Sequence, residues 1–137
     1  MSAPSLGRLL HSYFTERLMR DQEASPNTIA SYRDTFRLLL QFVQEREGKA
    51  PSDLALNDLD APVIAGFLEH LEESRGNSAR SRNARLAAIR AFFRYVALNE
   101  PDHVALVQRV LAMPSKRYLR KPIEYLTQGE CVALTAA

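Results

Sequence analysis

The 137-residue sequence holds a single cysteine, Cys131, which excludes an intrachain disulfide and a cysteine-based zinc cluster. No apolar run approaches the roughly 18 residues that a membrane-spanning helix needs. The opening residues, MSAPSLGRLLHSYF, lack the basic stretch and long apolar run of a secretory leader. No segment alternates apolar and polar residues between turn signals, so strands are not expected. His11, His70 and His103 fall in different predicted helices without ligand spacing, so no metal is expected either. These absences leave a soluble, cytoplasmic, all-α chain as the expectation.

What is present is helical periodicity, and a hydrophobic content of 46% suffices for one core. A first helix is predicted over 6–20, with Leu9, Leu10, Tyr13, Phe14, Arg17 and Leu18 at helical spacing. A second begins at Ser25 and Pro26, a capping residue followed by a proline suited to the first helical position, and is stopped by Gly48. Its inner face is Ile29, Tyr32, Phe36, Leu39, Leu40 and Val43. Residues 49–58 form a loop, but Leu54, Leu56 and Leu59 are apolar enough to close it over the core. A third helix starts after Asp60 and ends at Gly76; a fourth is capped by Asn77 or Ser78 and runs to about Leu98. A shorter fifth begins at Pro101 and is closed by Pro114. The expected architecture is a compact bundle of four to five helices.

The net charge is only +2, but its distribution is lopsided. Between residues 40 and 73, Glu45, Glu47, Asp53, Asp58, Asp60, Glu69, Glu72 and Glu73 face only Arg46 and Lys49. The sign then flips. Residues 75–95, RGNSARSRNARLAAIRAFFRY, carry six arginines and no acid, and a second basic run follows at Arg109, Lys116, Arg117, Arg120 and Lys121. At about 100° per residue, Leu86, Ile89, Phe92, Phe93 and Val96 share one side of the fourth helix, while Arg80, Asn83, Ala87, Arg90 and Arg94 share the other. Small residues at Ala84, Ala87, Ala88 and Ala91 would allow close approach to a partner, and arginine forks onto phosphate or guanine. The second and fourth helices both open on small polar residues, Ser25, Asn27, Thr28 and Ser31 in one and Asn77, Ser78, Arg80 and Ser81 in the other, where helix-start amides can hold phosphates.

The segments SPNTIASYRDTFRLLLQFV and SARSRNARLAAIRAFFRYV resemble the N-terminal core-binding, or SAM-like, domain of the tyrosine recombinases, the phage-integrase family. The tail KPIEYLTQGECVALTAA resembles the entry into that family's catalytic domain. The resemblance implies a core-binding domain over 1–114, a basic linker over 115–124 and the start of a catalytic domain over 125–137. It implies one half of a clamp on duplex DNA, working beside other recombinase protomers and without a cofactor. The residues it directs at the groove are Asn27, Thr28, Ser31, Arg80, Ala84 and Ala88; Arg33, Arg82 and Arg90 suit phosphates, and Lys116, Arg117, Arg120 and Lys121 suit a linker that tracks the backbone. With the helix-start residues Ser25, Ser78 and Ser81, and with Asn83 and Arg94 on the outer face, these complete the candidate DNA-binding set. The family's tyrosine nucleophile, with its arginines, lysine and histidine-type residues, is expected beyond Ala137. Tyr13, Tyr32 and Tyr95 lie on apolar stripes and are read as core, and Tyr118 and Tyr125 as linker residues.

Two other classes fit the charge pattern. A protein-interaction module would dock its acidic third and basic fourth helices onto complementary neighbours. A helix-turn-helix regulator would use the turn at 73–78, although the helix that follows is longer than such a reader needs.

Overall fold

The computed structural model describes residues 6–21 and 23–115. Among them are five α-helices and no strand: α1 (Leu6–Ser12), α2 (Pro26–Glu47), α3 (Ala61–Ser74), α4 (Ala79–Asn99) and α5 (Val104–Leu111). Three short 3₁₀ turns supplement them, Pro51–Asp53 and Leu56–Asp58 between α2 and α3, and Pro101–His103 leading into α5. Lys116, Arg117, Arg120 and Lys121, and the expected linker and catalytic entry beyond Ser115, lie outside the described residues.

The expected helix over 6–20 is present, but its winding changes partway along. α-Helical bonding ends at Ser12, and Tyr13–Asp21 continues as a π-helix, with its wider i→i+5 turn. Packing gives the reason: Tyr13 and Leu18, five residues apart, are both 2% exposed, whereas Arg17, which an α-helix would bring under Tyr13, is only half-buried. The Leu18 carbonyl then accepts from the Ala24 amide at 2.8 Å, and Glu23, at φ +47°, turns the chain toward α2.

Local chemistry sets the other helix ends. Ser25 Oγ accepts from the Thr28 amide at 3.1 Å, Asp60 Oδ1 from Val63 at 3.1 Å, and Ser78 Oγ from Ser81 at 3.1 Å, each satisfying an amide that a helix start leaves open. α2 stops at Gly48, whose left-handed φ of 72° lets its amide reach the Gln44 carbonyl. Leu54, Leu56 and Leu59 are buried as expected, so the connection between α2 and α3 is part of the core.

The interior is continuous. Ile64, Phe67, Leu68 and Leu71 of α3 and Val107 and Val110 of α5 join the α4 stripe of Leu86, Ile89, Phe92, Phe93 and Val96. Beneath α2 and α4 lies an aromatic cluster, in which Phe92 meets Tyr13 at 5.5 Å, Phe36 at 5.2 Å and Phe93 at 5.5 Å between ring centroids, all edge-on. Burial, with some help from neighbouring Tyr32, pushes the Tyr13 hydroxyl up to about 12 against the opposing pull of Arg17 and Arg94.

Asp58 ties the loop down. Its carboxylate accepts from the Ala55 amide at 2.8 Å and from Lys49 Nζ at 3.1 Å, and these contacts, the amide bond foremost, hold it below the usual carboxylate range. Because the folded-state value is depressed, the stabilisation is present above the unfolded value of about 4 and is lost as pH falls through the folded one. Thermal melts of the wild type are expected to drop below pH 4 more steeply than melts of Asp58→Asn. Parallel pH profiles for the two proteins would contradict this assignment.

Candidate nucleic-acid interface

The two serine-capped starts lie on neighbouring helices, since α2 and α4 pack against each other. At the α2 start, Ser25, Asn27, Ser31 and Arg33 are exposed and Thr28 is half-buried. Ser25 also donates its hydroxyl to Thr28 Oγ1 at 3.0 Å. The α4 start repeats the arrangement: Ser78, Arg80 and Ser81 are exposed, with Ser78 donating to Ser81 Oγ at 3.3 Å. Further along α4, Ala84, Ala87 and Arg94 are exposed and Arg90 is half-buried, with its Nε enclosed and without an acceptor among the described residues. The outer face expected from the helical wheel is therefore present, and its cationic members are Arg80, Arg94 and the partly sunken Arg90.

Two residues sit elsewhere than on that face. Ala88 is fully buried, so its expected place against a groove is corrected: the small side chain serves close packing within the bundle. Arg82 turns toward α3, with its Nε 3.6 Å from Glu72 Oε1 and its Nη1 donating to Asn83 Oδ1 at 3.4 Å. The open groove of about 500 Å³ there, lined by Arg46, Pro62, Gly66, Glu69, Glu72 and Arg82, mixes both signs and presents no uniform field to a polyanion.

Sequence reasoning missed Arg85. Its guanidinium reaches from α4 to α2, where Nη1 donates to Thr35 Oγ1 at 2.8 Å and to the Ser31 carbonyl at 3.4 Å, and Nη2 donates to Asp34 Oδ2 at 3.1 Å. Thr35, 1% exposed, in turn donates to the Ser31 carbonyl at 3.0 Å. Asp34 also accepts from Arg37, and Arg37 first and Arg85 second hold its carboxyl below the usual range. A signal was available: positions 82, 85, 89, 92 and 96 form one line along α4, so Arg82 and Arg85 extend the apolar stripe and call for acidic partners on neighbouring helices.

The family model for the phage integrase N-terminal SAM-like domain matches residues 12–100, most of the chain and all of α2, α3 and α4. The chain belongs to this family. Relatives agree with the assignment. A Sinorhizobium fredii protein named as an integrase/recombinase, y4rC, is 54% identical over 97% of this chain, and a second from the same organism, y4rD, is 46% identical over 96%. The tyrosine recombinase XerC of Rhodospirillum centenum is 30% identical over 88% of it. The chain spans 40%, 47% and 37% of these three proteins respectively, less than half of each. No solved structure matches it. The SAM-like domain thus supplies the all-α fold expected from the sequence. Among the described residues no helix is long and apolar enough to cross a membrane, and no group of three or more His, Cys, Asp or Glu side chains is arranged to hold a metal.

Proposed function

We propose that this chain binds duplex DNA as the N-terminal clamp domain of a site-specific tyrosine recombinase, whose strand cleavage through a 3′-phosphotyrosyl link is carried by residues beyond Ala137. The observation that carries the reading is the pair of serine-capped starts on the neighbouring helices α2 and α4. Each start has exposed polar side chains, and each helix adds an exposed arginine, Arg80 in the first turn of α4 and Arg33 two turns into α2. Helix-start amides and arginines act together on phosphate, because the first present fixed dipoles and the second a mobile charge. In this reading Asn27, Thr28, Ser31, Asn83 and the exposed Ala84 face the groove, and Arg33, Arg80, Arg90 and Arg94 grip the backbone. Arg82, engaged by Glu72, shapes the α4 start beside Ser78 and Ser81. Lys116, Arg117, Arg120 and Lys121 follow the phosphates as a linker over 115–124, between a core-binding domain over 1–114 and a catalytic entry over 125–137. Further protomers join on DNA.

If about five phosphates are neutralised, the logarithm of the duplex association constant falls with the logarithm of salt at a slope of about −4.5. Fluorescence anisotropy with a labelled duplex across a salt series measures it. A slope near zero, or no binding at low salt, would overturn the proposal. The interaction-module alternative is disfavoured because Glu72 of α3 already has a cationic partner within the chain, Arg82 of α4.

A further inference from the structure

We infer that Arg85 is a positioning residue for the DNA-binding face, a role that rests on the proposed function. One planar guanidinium grips three groups of α2, the Asp34 carboxylate, the Thr35 hydroxyl and, at the longer distance, the Ser31 carbonyl. It is held from one turn after Ser81 on α4. The two ends of this clasp are adjacent to groups proposed to touch DNA. Ser31 opens the gripped segment on α2 and Arg33 lies within it, and Arg80, Ser81 and Ala84 precede Arg85 on α4.

Two physical consequences follow. The fork fixes the separation and register of α2 and α4 at the end where their starts open, whereas the aromatic cluster holds them further along α4 at Phe92. The clasp also sequesters an acid. Asp34 is the single acid within α2 before Glu45, and its charge would repel a phosphate chain approaching Arg33. With Arg37 and Arg85 both bonded to it, that charge is compensated in place. Arg85 itself has a side chain only 23% exposed, so its donors point into the protein and away from a polyanion on the outer face.

This division of labour separates Arg85 from the gripping arginines in a measurable way. A phosphate ligand contributes to counterion release, and its loss makes the salt slope shallower by about 0.9; a positioning residue changes affinity and leaves the slope in place. The test uses the whole chain and a labelled duplex, comparing wild type with Arg85→Ala, Arg85→Lys and Asp34→Asn, each checked for folding by thermal melting. Arg85→Ala is expected to weaken binding about tenfold, the equivalent of one charge-assisted hydrogen bond, with the wild-type slope retained. Arg85→Lys keeps the charge but loses the fork, and is expected to stay several-fold weaker than wild type.

Asp34→Asn provides the sign. Loosening the clasp lowers affinity, whereas an Asp34 that merely repels DNA would, once neutralised, raise it. Should Arg85→Ala fail to fold, the lysine and asparagine variants decide the question unaided. Stronger binding by Asp34→Asn, wild-type affinity in Arg85→Lys, or a slope reduced by about 0.9 in Arg85→Ala would each overturn the inference while leaving the DNA-binding reading intact. Absence of binding by the wild type would remove that reading itself.

Discussion

Reversing Arg80 and Arg94 together to glutamate is expected to lower duplex affinity about 100-fold at 0.1 M salt and to flatten the salt slope from about −4.5 to about −2.7. Each neutralised phosphate contributes about 0.9 to the slope, so at one decade below 1 M salt each contact is worth about 0.9 of a decade in affinity. Two lost contacts give about 1.8 decades, and the introduced carboxylates add repulsion. Both arginines are exposed. Neither takes part in the α2–α4 clasp, so the fold should be untouched and the melting temperature close to wild type. Anisotropy titrations at several salt concentrations check the affinity and the slope in one experiment. Undiminished binding by the doubly reversed protein would mean that DNA uses another face.

Truncating Phe92 to alanine is expected to have the opposite profile. Phe92 is fully buried and lies edge-on to three other rings, Tyr13, Phe36 and Phe93, so its removal opens a cavity where the π-helical segment, α2 and α4 converge. Phenylalanine-to-alanine changes in such cores cost about 3–5 kcal/mol, against a total of about 5–15 kcal/mol for a domain. The melting temperature should fall by roughly 10–20 °C in calorimetry. Below that transition, the salt slope of DNA binding should match wild type, because no cation has been removed. A loss of less than about 1 kcal/mol would show that the cluster relaxes around the gap.

The contrast between these variants follows how legible the chain is. The starts of α2 and α4 can be read directly because capping is a local matter: Ser25 before Pro26, and Ser78 three residues before Ser81, meet their amide partners within one turn. Leu54, Leu56 and Leu59 in the connection between α2 and α3 are equally readable, since three such side chains in a short loop have no stable place except the core. The outer arginines follow from the α4 periodicity. Ala88 was harder, because a small residue suits both a DNA groove and a helix–helix contact, and only the packing of the bundle decides between them. Arg85 was harder still. Its partners Asp34 and Thr35 are some fifty residues away in sequence, and pairing across that distance depends on the relative rotation of two helices. The phosphate-tracking role proposed for Lys116, Arg117, Arg120 and Lys121 rests on their charge and spacing in the sequence.

The π-helical turn after Ser12 has a consequence for chain length. Tyr13 and Leu18 reach the core together only because that turn lets positions five apart face the same way. Inserting one residue between Tyr13 and Arg17 would put Arg17, in place of Leu18, five positions after Tyr13 and so turn it toward the aromatic cluster, whereas deleting one would leave Leu18 at the ordinary α-helical spacing of four. The number of residues here is therefore as much a packing parameter as their identity, and a single-residue insertion should act like a polar substitution in the core. Point substitutions at exposed Glu16 and Met19 leave that count unchanged, so the segment tolerates changes of letter there more readily than an added residue.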